Sequence, residues 1–350
     1  MAIQKLSIEE FLKKATLHPV LDVRSPGEYQ QAHIPNAHNI PLFEDEERKV
    51  VGTAYKQESR ERAIKLGLDY FGGKMSKMVE AVEAIKTHHP TVTDKIILVH
   101  CWRGGMRSAG VAWLLDLYGF KVFTLVGGYK AYRTWVLEQF EKKYPFTVIG
   151  GYTGSGKTLL LEGLQQKNKR IIDLEALANH KGSAFGSMGA QPRQEMFENL
   201  LATKLFSETH QLQQSSNPTH TIYIEDESQR IGNLQIPMAL WPNIRNSKIL
   251  FFDIPFEERL NYITETYGKL ERDKLVTAIM RIQKRLGGLE TKNAINFLLE
   301  ENTKESFRIL LRYYDKWYEK GLQNRENITS LLNKIPCLSV DTITNVQKIQ

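Results

Sequence analysis

Cysteine is nearly absent from this sequence, whose 350 residues contain only Cys101 and Cys337. Two thiols cannot form a disulfide framework or a zinc site built from cysteines. No apolar run approaches the ~20 residues of a membrane-spanning helix, and the first residues lack the pattern of a signal peptide. We therefore expect a cytoplasmic protein that does not engage a membrane.

A strong excess of one charge is also missing. The 47 Lys and Arg residues against 40 Asp and Glu residues give a net charge of +7, which only weakly favours a polyanionic partner. The densest basic segment is 269–285, which includes Lys274, Arg281, Lys284 and Arg285. A solvated helix face explains that segment as well as a nucleic-acid contact does.

Cys101 lies between a strand-like apolar run, 95–99, and a helix-like run, 109–117. Backbone N–H groups converge at such a position and the helix dipole is positive there, so the thiol pKa falls and anions are favoured. Arg107 adds a fixed cation, and Arg103 is a second candidate for an anionic substrate. A buried structural cysteine is the alternative, but it does not need two glycines and two arginines beside it. The stretch predicts a reactive thiolate in an anion cradle.

A second anion-binding motif follows the strand-like run 146–150. Residues 151–158 read G-x-x-x-x-G-K-T and lead into a helical pattern, which is the context that a P-loop requires. Backbone N–H groups of such a loop wrap a phosphate, its lysine reaches the terminal phosphate, and its threonine hydroxyl binds Mg²⁺. The predicted phosphate-binding residues are Gly151, Gly154, Ser155, Gly156, Lys157 and Thr158.

Acidic residues end two further strand-like runs of the same region. Asp173 ends the first, and the second, 221–224, ends in three acids that include Asp226. An apolar strand that ends in acids is typical of a Walker B strand, which holds Mg²⁺ through water. An exposed acidic turn is the alternative, but the P-loop upstream favours the metal. We predict phosphate-site roles for Asp173 and Asp226, with Mg²⁺ held by Thr158 and Asp226 or Asp173.

Strands alternate with helices along most of the chain, which predicts an α/β fold with parallel sheets. The length is typical of about two or three domains. We expect a parallel-sheet domain over 1–144, a P-loop domain over 145–255 and a helical region over 256–350, with helix up to about Asn333. Residues 44–74 are charged and contain several glycines, so we expect them to be irregular.

Parts of the N-terminal domain, roughly 5–140, resemble the rhodanese family. The similar stretches are 21–29, 32–37, the Cys101 loop and Gly127-Gly128. Rhodaneses carry sulfur as a persulfide on the loop cysteine. The present loop reads H-C-x5-R, which is one residue longer than in the usual sulfur carriers and closer to rhodanese-like dual-specificity phosphatases. Loop length alone leaves phosphatase chemistry open.

The loop 101–108 fused to a P-loop is similar to the tRNA 2-selenouridine synthase family. Further similar stretches run along nearly the whole chain: 51–56, 173–186, 191–198, 225–232 and 284–288. The resemblance implies that the sulfur of wobble 2-thiouridine, in tRNAs for lysine, glutamate and glutamine, is replaced by selenium from selenophosphate. It also implies S-geranylation of the thiouridine from geranyl diphosphate as an intermediate step.

The resemblance assigns roles to these residues. Cys101 becomes the nucleophile or chalcogen carrier of the selenium step, and the P-loop binds geranyl diphosphate as first choice and ATP or GTP as second. His180, Lys181 and Arg193 are candidates for phosphate or tRNA contact, although an ordinary surface loop explains them equally well. The segment 269–285 becomes the candidate tRNA backbone contact, and we expect the tRNA to bind through its anticodon region, with anticodon bases stacking on aromatic residues. A selenophosphate-supplying enzyme is a further candidate partner.

Two alternatives of other classes stay open. One is a rhodanese-type sulfurtransferase, or an H-C-x5-R phosphatase or reductase, with an accessory nucleotide-binding domain. The other is a P-loop regulator that uses a rhodanese module to sense anions. The sequence does not predict an oligomeric state.

Overall fold

The computed structural model describes residues 3–87, 95–180, 189–214 and 221–349. The chain divides into two compact units, Met1–Gln139 with Glu198–Thr203 and Phe140–Phe197 with Lys204–Gln350. Each unit is built around a five-stranded parallel sheet, which confirms the predicted α/β class. Within the described ranges, no helix is both long enough and apolar enough to cross a membrane.

The first unit alternates strands and helices along the chain. Its elements are, in order, β1 (Gln4–Leu6), α1 (Ile8–Ala15), β2 (Val20–Asp22), α2 (Pro26–Gln31), β3 (His38–Asn39), α3 (Asp45–Gln57), α4 (Arg60–Gly72), α5 (Met75–Thr87), β4 (Ile96–His100), α6 (Met106–Leu117), β5 (Lys121–Leu125) and α7 (Gly128–Glu141). The sheet order is β1-β5-β4-β2-β3. Because β4 lies at the centre, the residue that follows it, Cys101, emerges at the middle of the carboxyl edge of the sheet, where α/β proteins place their sites.

The segment 44–74 is helical, so the prediction that it is irregular is wrong. It forms α3 and α4, with Ser59 capping α4 by accepting a hydrogen bond from the backbone N–H of Arg62. Not every glycine of this segment lies in a turn, because Gly67 lies inside α4. A Cβ at Gly67 would lie 3.2 Å from the ring of Phe43. Gly67 therefore allows a close approach inside a helix, and burial of Phe71 against the core stabilises a segment with little periodicity of its own.

The second unit carries the P-loop sheet and the C-terminal helices. Its elements are, in order, β6 (Phe146–Gly150), α8 (Lys157–Gln166), β7 (Arg170–Ile172), α9 (Leu174–Ala178), α10 (Gln194–Gln214, of which 198–203 count with the first unit), β8 (Ile222–Glu225), β9 (Arg230–Ile231), β10 (Leu234–Gln235), α11 (Trp241–Arg245), β11 (Lys248–Asp253), α12 (Phe256–Tyr267), α13 (Arg272–Leu286), α14 (Gly288–Leu299), α15 (Thr303–Gln323), α16 (Ile328–Leu331), β12 (Leu332–Pro336) and α17 (Thr342–Gln347). The sheet order is β12-β11-β6-β8-β7, and β9 and β10 form a small antiparallel pair.

The C-terminal region is mainly helical, as predicted, but its last strand joins the P-loop sheet. Strand β12 pairs in parallel with β11 along its whole length, and α17 packs against α8, where Val346 contacts Gly163. Helices α12 to α15 enclose a separate apolar cluster that includes Leu260, Ile279 and Phe307. Residues 256–350 therefore share one compact unit with the P-loop.

Two candidate anion-binding sites

Cys101 lies between β4 and α6 and is almost fully buried. Its Sγ is 3.3 Å from Ser108 Oγ, and the backbone N–H groups of Ser108 and Arg103 donate hydrogen bonds to it. Burial opposes ionisation of the thiol, but these hydrogen bonds and the charge of Arg107 outweigh burial, so the pKa of Cys101 lies below its ordinary value. The geometry supports a reactive thiol at this position.

The carbonyl groups of the Cys101 loop are held by the start of α7. The N–H of Tyr129 donates to the carbonyl oxygen of Cys101 at 2.8 Å, and the N–H of Lys130 donates to that of Trp102 at 2.9 Å. Gly128 adopts a φ of +58°, and a Cβ there would lie 2.4 Å from the Cys101 carbonyl oxygen. The second glycine of the Gly127-Gly128 pair is therefore required for α7 to brace this loop.

Arg107 is oriented by a carboxylate that sequence reasoning did not assign to the site. Its Nη1 donates to Glu28 Oε2 at 2.8 Å, and the same oxygen accepts from the backbone N–H of Ser25 at 3.1 Å. Burial would raise the pKa of Glu28, but the hydrogen bond and charge of Arg107 outweigh it and lower that pKa. The structure thus places Arg107 near Cys101, whereas the side chain of Arg103 is exposed and this residue contributes its backbone N–H.

A buried ionic network joins the strands around the loop. Arg24 and Asp22 form an ion pair with Nη2 and Oδ2 2.6 Å apart, and both side chains are buried. The guanidinium carbon of Arg24 lies 3.8 Å from the ring centroid of Tyr129, and His100 Nε2 is 3.7 Å from Asp22 Oδ2. These contacts connect β2, the end of β4 and the start of α7, so the elements that flank the Cys101 loop are held together by buried polar contacts.

The loop between β6 and α8 has two glycines in the left-handed region, Gly154 with a φ of +81° and Gly156 with a φ of +73°. Lys157 begins α8, and its Nζ donates to the carbonyl oxygen of Gly151 at 3.3 Å. Ser155 is buried, and no described residue makes a hydrogen bond with its Oγ. These features give a phosphate-binding loop at a helix N-terminus, with a lysine that folds back over it.

Three glutamates surround the hydroxyl end of this loop. Thr158 Oγ1 donates to Glu175 Oε2 at 3.1 Å, and one carboxylate oxygen each of Glu175, Glu225 and Glu227 lie within 4.8 Å of one another. Glu225 is fully buried; its Oε1 accepts from the N–H of Glu175 at 2.7 Å, and no described residue makes a hydrogen bond with its Oε2. Burial and the neighbouring carboxylates raise the pKa of Glu225. Such a set of oxygens suits a hard divalent cation.

The two aspartates predicted for this site are engaged by protein groups. Asp226 accepts from the hydroxyl of Tyr318 at 2.6 Å, and it pairs with the buried Arg325. Asp173 Oδ1 accepts from the backbone N–H of Ala176 at 2.7 Å, where it caps α9. The structure therefore brings Thr158 to the glutamates, and the assignment of Asp226 to the metal stays a prediction.

Long-range contacts from α12 and α15 hold the P-loop. Arg259 donates to the carbonyl oxygen of Thr153 at 2.9 Å and forms two hydrogen bonds with Asp315, of 2.9 and 2.8 Å. The hydroxyl of Tyr318 accepts from the N–H of Gly151 at 3.2 Å. Sequence reasoning missed these residues because they belong to no local motif: Arg259 lies 106 positions from Thr153, Tyr318 lies 167 positions from Gly151, and Asp315 lies 56 positions from Arg259.

The other predicted contact residues lie in the second unit. His180 is partly buried, and burial together with the charge of Arg281 lowers its pKa, against the opposing effect of Glu175. Lys181 lies outside the described residues, and Arg193 is exposed. Four basic residues of the segment 269–285 are exposed on α13: Lys274, Arg281, Lys284 and Arg285.

Comparison with known proteins covers both units. A model of the rhodanese-like domain matches residues 7–134, and a model of the tRNA 2-selenouridine synthase AAA domain matches residues 144–334. The tRNA 2-selenouridine synthases of Nitrosomonas europaea, a Sulfurovum species and Shewanella woodyi are each 33% identical to this chain. The alignments cover 88%, 87% and 93% of this chain and 90%, 89% and 93% of those proteins.

The fold and the two sites define a rhodanese-like domain joined to a P-loop domain, and the family models agree with that division of motifs. More specifically, the chain belongs to the tRNA 2-selenouridine synthase family. The resemblance that the motifs indicate is thereby confirmed.

Proposed function

We propose that the protein modifies tRNA by replacing the sulfur of wobble 2-thiouridine with selenium from selenophosphate. The tRNA substrates are those for lysine, glutamate and glutamine, and the reaction passes through an S-geranylated intermediate. The observation that carries this proposal is a thiol of lowered pKa in a hydrogen-bond cradle on the same chain as a P-loop. A family whose members are named for 2-selenouridine supports it.

The P-loop serves the geranyl step. The sulfur of 2-thiouridine attacks the first carbon of geranyl diphosphate, the carbon–oxygen bond breaks, and diphosphate leaves. Backbone N–H groups of the loop and the charge of Lys157 stabilise the departing diphosphate. Geranylation matters because the alkylated sulfur later leaves as a neutral thiol. ATP or GTP is the second candidate for this loop.

Mg²⁺ is the cation that we assign to the P-loop site. Thr158 and the three glutamates supply oxygen donors, and the buried Glu225 Oε2 has no hydrogen bond from any described residue. Bound there, Mg²⁺ would offset the charge of the diphosphate as it leaves. Asp226, the sequence-based candidate, remains the alternative ligand, and a binding experiment with variants decides between them.

The Cys101 loop serves the selenium step. Cys101 acts as its nucleophile or chalcogen carrier, because a lowered pKa increases the fraction of the thiol that is present as the reactive thiolate. Arg107, held by Glu28, binds the anionic selenophosphate beside the thiolate. Arg103 is exposed in the same loop, and it is our second candidate for contact with selenophosphate or a tRNA phosphate.

Nucleoside analysis of thiolated tRNA tests the proposal. The tRNA is incubated with the protein, geranyl diphosphate and selenophosphate, and 2-selenouridine is the expected product. Omitting selenophosphate should leave S-geranyl-2-thiouridine, and omitting geranyl diphosphate should leave 2-thiouridine. Thiosulfate turnover without tRNA, together with unchanged 2-thiouridine, would instead show a sulfurtransferase.

A further inference from the structure

Trp317 is a large aromatic side chain on the surface of α15, with 43% of its area exposed. Two cations flank its ring: Arg285 Cζ lies 5.9 Å from the ring centroid and Lys320 Nζ lies 5.2 Å from it. Tyr313, one turn earlier, adds a second ring at a centroid distance of 6.3 Å. The buried side of α15, which includes Phe307, forms the helical core. Core packing therefore does not explain why an indole is exposed between cations.

The basic side of α13 leads from this tryptophan towards the P-loop site. Arg281 and Arg285 are four residues apart, so they project from the same side of the helix, and both are exposed. The charge of Arg281 acts on the imidazole of His180, on which the carboxylate of Glu175 also acts. Glu175 accepts a hydrogen bond from the P-loop threonine. The basic side of α13 thus has Arg285 at the indole of Trp317 and, one turn away, Arg281 close enough to act on His180 beside Glu175.

We propose that Trp317, Arg281, Arg285 and Lys320 bind an unpaired segment of RNA. Trp317 stacks on an unpaired base, and the three cations contact the phosphates on either side. Proteins recognise single-stranded RNA in this way, because a base offers a flat π-face and its backbone is anionic. The inference rests on the proposed tRNA substrate and assigns its unpaired region to this named surface.

Binding of an anticodon-arm RNA hairpin tests this surface. The second ligand is a duplex of the same RNA sequence with its complementary strand, in which every base is paired. Trp317→Ala should weaken hairpin binding about tenfold, within the range for loss of one base–aromatic stack, while Trp317→Phe retains most of the affinity. Arg285→Ala should weaken both ligands and reduce the slope of affinity against salt by about 1. Trp113→Ala removes another exposed indole, 51% exposed on α6, and should change nothing.

Unchanged hairpin binding by Trp317→Ala would overturn the inference. An equal loss for hairpin and duplex would also overturn it, because stacking requires an unpaired base. Thermal unfolding and diphosphate binding by Trp317→Ala should match those of the parent protein, which separates a local effect from misfolding.

These measurements need neither a thiolated base nor turnover, so they are independent of the proposed activity. If no 2-selenouridine forms but hairpin binding depends on Trp317, the proposed function fails and this surface stands. If Trp317→Ala modifies tRNA with an unchanged KM and binds the hairpin normally, the surface fails and the proposed function stands.

Discussion

The Cys101 loop and the P-loop share one backbone plan, yet they place opposite demands on the groups buried in them. Each follows a central parallel strand and ends at the first turn of a helix. In the first loop, hydrogen bonds and Arg107 overcome burial and lower the pKa of Cys101. At the second, burial and neighbouring carboxylates raise the pKa of Glu225. The backbone geometry is thus alike at the two loops, and the neighbouring side chains decide whether a buried acidic group there is stabilised as an anion.

The two sites differ in how their buried acidic groups are stabilised. The thiolate of Cys101 already accepts hydrogen bonds from the loop. The first site is therefore suited to a nucleophilic thiolate that reacts with an anionic substrate. At the second site, burial and the neighbouring carboxylates raise the pKa of Glu225 even though the N–H of Glu175 donates to it, and such a carboxylate favours either a proton or a metal ion. The first site therefore has Arg107 as a cation beside its thiol, whereas the second offers oxygen ligands of the kind that suit Mg²⁺.

The largest effects should come from exchanging the key residue of each site. Lys157→Ala should reduce S-geranylation by at least about 100-fold, the usual effect of removing one donor to a developing charge.

Cys101→Ser should abolish 2-selenouridine and leave the geranylated nucleoside to accumulate. Mass spectrometry of tRNA nucleosides reads both products. Selenation at the normal rate by Cys101→Ser would contradict its role, and full geranylation by Lys157→Ala would move the diphosphate elsewhere.

The metal assignment should produce the next largest effect. Glu225→Gln should weaken Mg²⁺ binding at least about tenfold, because it removes a charged oxygen ligand. Asp226→Asn is the matched control, since its carboxylate is engaged by Tyr318 and Arg325. Isothermal titration with Mg²⁺ and diphosphate measures both variants. If only Asp226→Asn loses affinity, the sequence-based choice of Asp226 is right and the glutamate cluster is not the ligand set.

The same cluster predicts a pH dependence of stability. Burial and the neighbouring acids, against the opposing charge of Lys157, raise the pKa of Glu227 to about 8, so the folded protein keeps a proton that the unfolded chain releases at lower pH. Stability without metal should therefore fall as pH rises from about 4.5 through 8. Because Mg²⁺ replaces the proton, the rise in Tm on adding Mg²⁺ should be larger at pH 8 than at pH 6. An equal rise at both values would argue against binding at these carboxylates.

The sequence predicts the two loops well because each is a local motif with fixed spacing. A strand, a glycine-containing loop and a helix occur within about twenty residues at both Cys101 and Lys157. The choice among consecutive acids is harder. Side chains alternate between the faces of a strand, and nothing local shows whether Glu225 or Asp226 faces the loop. That choice depends on Tyr318 and Arg325, which reach Asp226 from about a hundred residues away.

Glu28 shows the same limit in the first unit. It belongs to the rhodanese-like stretch, but its contact with Arg107 joins residues 79 positions apart. Similarly, α4 packs on the core of the first unit through the buried Phe71, a contact that depends on residues far away in the sequence. Motifs with internal spacing are therefore predictable from the chain alone, whereas partners that complete them through the fold are not.

A smaller effect should come from releasing Arg107. Glu28→Gln should raise the KM for selenophosphate about threefold to tenfold, because a charge-assisted hydrogen bond that is partly exposed to water is lost. The kcat should change less, and Glu28→Asp should restore part of the affinity. Arg48→Ala is the control, since Arg48 approaches Glu28 only to 4.0 Å and is itself exposed. An unchanged KM would show that Arg107 needs no positioning by Glu28.

The smallest effect should concern the thiol itself. Ser108→Ala removes the hydroxyl 3.3 Å from Cys101 Sγ, so the pKa of Cys101 should rise, because the thiolate loses one hydrogen bond. The pH dependence of iodoacetamide alkylation, followed by peptide mass, measures this change. Cys337 is an internal control because burial raises its pKa. In the parent protein, Cys101 should therefore be alkylated at lower pH than Cys337, and Ser108→Ala should narrow that difference. Equal profiles for the two cysteines would show that the loop does not activate its thiol.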